Sequence, residues 1–242
     1  MNWKKDLREK DDAVSPVIAL MLILAILATC MAVYTTTYVP GLKQQDEITH
    51  SGEVKLAFER FASDIDNVIA QGKPAVYTEV LELGGGDVPL SPTKSSGTVE
   101  INTTVIGNYT IGSETKNLNV IEISYLPSFT AWEKQGYLYK NGVVWITKDE
   151  KKTPAMLTLY TFEDGGNREK EILAKWYPAS TEIIPNFSVV EGKSEITGTS
   201  AVKLRLNATL GDKMDDVKVT LNGDTEKTYT NARLLNIEVS VE

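Results

Sequence analysis

His50 is the only histidine and Cys30 the only cysteine in this chain of 242 residues. Any nucleophile–base device would therefore have to use one of them, with base and nucleophile within hydrogen-bond reach. Cys30 lies inside a long apolar run, where it reads as a small packing residue; the alternative is a bridge between neighbouring helices. His50 lies early in a helical pattern and reads as a solvated helix residue, titrating near neutral pH. Alone it makes neither a triad nor a metal site. Asp64-Ile-Asp66-Asn67 begins with a calcium-loop spacing but lacks the glycine and the terminal glutamate. Asp212, Asp215 and Asp216 read as solvated turn charges. Gly84-Gly85-Gly86 has no following lysine and helix, so it is a turn rather than a phosphate loop. The 33 Asp and Glu residues always permit some carboxylate pair, so no glycosidase signature stands out. These residues predict a protein that is not an enzyme and takes no cofactor and no metal.

The formal charge of -8 and a pI near 4.9 disfavour nucleic acid as a partner. Four N-x-S/T sequons occur, at Asn102, Asn108, Asn186 and Asn207, and these are candidate glycosylation sites on an exported chain. Unmodified surface asparagines are an equal alternative.

The elements that must carry these residues begin with one dominant stretch. No Lys, Arg, Asp, Glu or His occurs between Asp12 and Lys43. As a helix, residues 13–39 would measure about 40 Å at ~1.5 Å per residue, where a bilayer core needs about 20 residues. The run is about twice as long as the apolar core of a cleaved secretory signal. Lys4, Lys5, Arg8 and Lys10 precede it, while Lys43 follows it, a bias that predicts an outward-facing C-terminal part. Asp6, Glu9, Asp11 and Asp12 neutralise those four charges and blur the bias. Ser15-Pro16 reads as a helix start, with Ser as N-cap and Pro at the first helical position. A span ending in headgroup water has little need of so defined a start.

Pro40-Gly41 is expected to interrupt or kink the helix. Lys43 to Gln71 then reads as a second, amphipathic helix. Val54, Phe58, Phe61, Ile65 and Val68 repeat at alternating spacings of four and three, and Gly72 and Pro74 end the pattern. Such a stripe suits packing on the chain's own head; two heptads are short for a coiled coil. From residue 75 the pattern changes to about nine strands with period-two alternation. Asn141-Gly142 suits a type I′ hairpin turn, and Asn222-Gly223 marks a second turn. Residues 164–185 are ambiguous, with a helical turn or two conceivable over 168–176.

DDAVSPVIALMLILAILA resembles the N-terminus of archaeal type IV pilins and pilin-like proteins, which carry an A-V-S-P-V-I-G-like opening after a short charged leader. Ala13, Val14, Ser15, Pro16, Val17 and Ile18 match, and Ala19 replaces the usual glycine. The match covers about 20 residues. The resemblance implies a class III signal peptide, cut by a prepilin peptidase near Asp12 and Ala13. It further implies a membrane and assembly helix in which Val17, Ile18, Leu20, Leu22, Leu24, Ile26 and Leu27 pack against lipid, then against copies of itself or other pilins. The expected architecture is α+β: a leader (1–12), a transmembrane or assembly helix (13–39), an amphipathic continuation (43–71) and a mainly antiparallel, sandwich-like β ectodomain (75–242). The expected location is the cell membrane with an extracellular C-terminal domain, or a surface filament serving adhesion or surface structure. The alternative is a membrane-anchored surface protein that never polymerises and whose β domain is a binding module.

Overall fold

The computed structural model describes residues 3–85, 88–89, 91, 93–140, 142–149, 151–157, 182–221 and 226–242. The chain is α+β, as its patterning predicts. Helix α1 (Trp3–Val33) runs through a π-helical turn (Tyr34–Tyr38) directly into helix α2 (Val39–Gln71). Twelve described strands follow: β1 (Ala75–Glu82), β2 (Ser96–Ile111), β3 (Glu114–Ser128), β4 (Gly136–Lys140), β5 (Val143–Lys148), β6 (Lys151–Leu157), β7 (Glu182–Val189), β8 (Glu195–Gly198), β9 (Ala201–Leu210), β10 (Val217–Leu221), β11 (Lys227–Tyr229) and β12 (Ala232–Val241).

Two expectations about the helix are corrected. It does not start at Ser15-Pro16, because α1 begins at Trp3 and carries Pro16 inside it. Lys4, Lys5, Leu7, Arg8, Glu9 and Lys10 in the leader are strong helix formers, so the turn before Pro16 stays helical despite the lost backbone bond. Nor does Pro40-Gly41 break the helix. The Pro40 ring crowds the carbonyl of the turn before it, and here that turn loosens to the wider π form. There the Val39 N–H reaches back to the Tyr34 carbonyl. The Thr35 and Thr36 hydroxyls bond to the Met31 and Ala32 carbonyls at 2.9 and 2.7 Å, giving carbonyls in the loosened stretch side-chain partners. One continuous rod results. It ends where the sequence places its end, at Gly72, whose left-handed φ of 56° returns its N–H to the Val68 carbonyl.

The strands form a four-stranded sheet, β1-β9-β12-β7, and a larger one ordered β11-β10-β2-β3-β4-β5-β6, with β8 on the free edge of β2. Every pairing is antiparallel except β7 with β12. On β9, Val202, Leu204, Leu206 and Ala208 point inward, and on β12 Leu235, Ile237, Val239 and Val241 do the same. Facing them are Val99 and Ile101 of β2 and Ile121, Ile123 and Tyr125 of β3, all in one core. Helix α2 closes the side of this sandwich, touching β1 of one sheet and β4 and β5 of the other. Its apolar stripe from Val54 to Ile69 is buried.

The hairpin at Gly142 forms as expected: Lys140 pairs with Val143 and Gly142 has φ 75°. Asn141, the turn at Asn222-Gly223 and the helical turns considered for 168–176 lie outside the described residues. Strands β7, β8 and β11 were not apparent in the sequence pattern. β7 carries Pro185, and β11 is only three residues long. Pro185 reads as a strand breaker because it cannot donate to a ladder, yet such a residue is tolerated where one side of the strand is unpaired.

Candidate functional site

Two features of the long helix distinguish it from an ordinary surface helix. The first is its bare apolar half. From Pro16 to Val33 nearly every side chain is open to the surroundings, with Val17, Ile18, Leu20, Leu22, Leu24, Ile26 and Leu27 each more than half exposed. This is the chain's one helix long and apolar enough to cross a membrane among the described residues. The head covers none of it. A stretch of 18 residues, all apolar but Thr29, on a rod with no internal partner calls for an apolar medium. Tyr34 and Tyr38 stack at its C-terminal end, at ring centroids 6.1 Å apart, where a membrane span commonly carries amphipathic rings. Asp12, Ala13, Ser15 and Pro16 all lie within the α1 backbone.

The second feature is a polar seam where α2 first meets the head. Val39, Lys43, Glu47, His50 and Ser51 are buried, and they continue, at helical spacing, into the apolar stripe. The Lys43 Nζ donates to the carbonyl and hydroxyl of Thr93 at 2.6 and 2.7 Å. Glu47 is wholly buried. Its carboxylate accepts from Ser95 Oγ, from the Thr130 N–H at 2.9 Å and hydroxyl at 3.2 Å, and from the Ala131 N–H at 2.8 Å. Burial opposes the charge, but the bonds from Ser95, Thr130, Ala131 and Trp132 outweigh it and hold the carboxyl below its usual range.

His50 is 4% exposed, so it is a buried seam residue and not the solvated one its polarity suggested. Its Nε2 lies 3.0 Å from the Tyr125 hydroxyl, which in turn donates to the Leu83 carbonyl at 3.0 Å. A phenol has one proton, and Leu83 receives it, so the imidazole Nε2–H donates to Tyr125. This fixes the neutral tautomer. Burial pushes the imidazole pKa down, while Glu53, Asp46, Glu82 and Glu47 pull it the other way. The Phe129 ring closes over His50 edge-on at 5.8 Å. Next along the helix, Ser51 shares a 2.9 Å bond with the Tyr137 hydroxyl, which also accepts from Gln135 at 2.8 Å. Gly97 makes room for the Tyr125 ring: a Cβ there would stand 2.4 Å from its Cε2.

A cleft of about 570 Å³ opens beside this seam, lined by Asp46, His50, Glu53, Glu82, Lys94 and Ser95 among others. No group of three or more His, Cys, Asp or Glu side chains among the described residues is placed to hold a metal ion. Asp64 and Asp66 sit on α2 and do not form a calcium loop. Asp215 instead accepts from the Asn231 N–H at 3.3 Å. The sequons divide. Asn102 and Asn108 are exposed on β2, whereas Asn186 is half-buried, its Oδ1 accepting from the Asn119 N–H at 2.9 Å. Asn207 is half-buried on β9, in a cleft of about 210 Å³.

No family model matches the chain, no curated protein matches its sequence and no solved structure matches its fold. The seam escaped sequence reading because Lys, Glu, His and Ser normally mark a solvent face. Their spacing, 43-47-50-51 in phase with 54-57-58-61, was the available signal.

Proposed function

We propose that this chain is a pilin-like subunit. It is inserted in a membrane through residues 16–39, is cut near Asp12 and Ala13, and enters a surface filament by packing its apolar helix among copies. The observation that carries this reading is the rod itself. Its apolar half has no partner within the chain, with Leu24 56% exposed, while its other half is buried against a β head. Lipid satisfies the apolar half before assembly. Neighbouring helices of equal apolarity would satisfy it afterwards, so transfer from one to the other exposes no apolar surface to water. The resemblance at Ala13 to Ile18 and the basic residues on the leader side support the same reading, with the head outside the cell and serving adhesion or surface structure. Prepilin peptidase, lipid and other copies of the helix are its partners.

The non-polymerising anchor differs in leaving the helix in lipid permanently. N-terminal sequencing of the protein extracted from membranes separates the two. A mature terminus at Ala13 or a neighbouring residue is the expected result; an intact Met1 would sink the pilin reading. Electron microscopy of cells with Leu24→Asp should then show loss of filaments with the leader still cut. Filaments persisting in that variant would remove the assembly role of the helix.

A further inference from the structure

The two halves of the α2 contact with the head differ in the groups that make them. From Val54 to Ile69 the contact is apolar apart from Asp66, a buried carboxyl whose charge acts on Tyr139 of β4. From Lys43 to Ser51 it consists of hydrogen bonds, and one of its members is a neutral imidazole enclosed between Tyr125, Phe129 and the glycine turn at residue 85. A Cβ on Gly85 would stand 3.0 Å from the His50 Cβ, so the turn lies directly on the histidine.

We propose that Lys43–Ser51 is an acid-sensitive latch, in which protonation of His50 frees the membrane-proximal half of α2 from the head while the apolar half holds.

The Nε2–H is already given to Tyr125, so the added proton goes to Nδ1 and creates a cation at a site almost closed to water. The charged and titratable groups around it are Asp46, Glu47 and Glu53 on α2, Glu82 at the end of β1, Lys94 in the following loop and Tyr125 on β3. Three of these carboxylates, Asp46, Glu53 and Glu82, line the open cleft rather than the closed pocket. An imidazolium therefore gains by turning out into the cleft, where it keeps water and meets negative charge. That movement breaks the bond to Tyr125 and withdraws the residue that seats Gly85. Glu47, whose carboxyl is held below its usual range, remains ionised and bonded over the same interval, so His50 is the first point to give. The inference does not rest on filament assembly, since the latch is complete within one chain.

The test uses the full chain in detergent micelles without a histidine tag. His50 is the only histidine, so one imidazole signal reports its titration by NMR. Amide hydrogen exchange, corrected for the intrinsic effect of pH, is followed from pH 7.5 to pH 4.5. Between the ordinary imidazole value of 6.5 and the lower His50 midpoint, residues 83–85 and 129–131 should exchange faster by up to about tenfold per pH unit, the response of one linked proton, and level off below it. Ile121–Ile123 of β3 should stay protected. In His50→Gln, which keeps an N–H donor but cannot ionise, the acceleration should vanish. The latch is overturned if residues 83–85 and 129–131 exchange equally at both ends of the range. It is equally overturned if β3 opens with them, or if His50→Gln responds as the parent does. Should His50→Gln fail to fold, the parent alone decides, by whether the imidazole and exchange midpoints coincide.

Discussion

The same face of one helix is bonded to the same head in two different ways. Over Val54–Ile69 the contact is apolar save for Asp66, with Phe58, Phe61, Ile65 and Val68 each at most 2% exposed. Over Lys43–Ser51 it is polar, and each buried group has a named partner. An apolar contact is nondirectional and tolerates small slides, gaining in proportion to area. A buried hydrogen-bonded contact contributes little net stability but fixes geometry, because any slide leaves a donor or acceptor unsatisfied. The apolar half therefore holds the head, and the polar half sets the angle at which it stands on its stalk. That division suits a rod whose remaining third is bare apolar surface. On the function proposed above, a loosely set head would swing where the bare helix ends.

The sharpest way to break this division is to remove mass from the apolar half. Phe61→Ala leaves a cavity where α2 closes the sandwich and should cost about 3–5 kcal/mol, read from denaturant unfolding of the full chain. The polar half should show a smaller and differently distributed effect. Glu47→Ala strips the Ser95 and Thr130 hydroxyls and two backbone N–H groups of their acceptor, and about 2 kcal/mol is expected. Hydrogen exchange should localise the damage to residues 93–95 and 129–131 in that variant. In Phe61→Ala it should be spread through the core. If Glu47→Ala proves the more costly of the two, the seam carries stability and the division of labour fails. A milder probe is Tyr137→Phe, which keeps the ring against Phe58 and removes only the hydroxyl that meets Ser51 and Gln135. About 1 kcal/mol is the expected loss; no change would mean that the bond is idle.

The apolar half of this comparison was legible in the sequence and the polar half was not. Val54, Phe58, Phe61, Ile65 and Val68 announce a buried face through period alone, and Gly72 announces its end. So do the strands with clean alternation, β9 and β12, whereas β7 hides behind Pro185 and β8 and β11 are too short to establish a period. The apolar run spoke for itself as a span, but the helix start at Ser15-Pro16 did not survive. Residue types suited to a cap are also compatible with helix interior when good helix formers precede them. His50 and Glu47 illustrate a deeper limit. A buried polar side chain is made tolerable by partners from residues 83, 95, 125 and 130, distant in sequence. Nothing within the helix indicates that those partners will arrive.

The two halves should also answer pH in opposite directions, and the smallest expected effect tests this. On the rim of the apolar half, Asp64 is pushed up to about 6, first by burial and then by the Glu79 charge across on β1. Its ordinary value near 3.8 applies when the chain is unfolded. Between these values the folded state binds the extra proton, so stability attributable to Asp64 is present in acid and is lost as pH rises from about 4 to about 6. The side chain is half-buried, and solvent screening on its open side reduces the effect to about 0.5 kcal/mol. Asp64→Asn should therefore raise stability by that amount at pH 7 and change nothing at pH 4. His50 works the other way: its lowered pKa makes its contribution present at neutral pH and lost as pH falls below its ordinary 6.5. In Asp64→Asn the net acid response of the chain should thus be steeper than in the parent, because the opposing proton is gone. A variant that flattened the response instead would place the acid-sensitive contact at the apolar end, and the assignment of the two halves would be reversed.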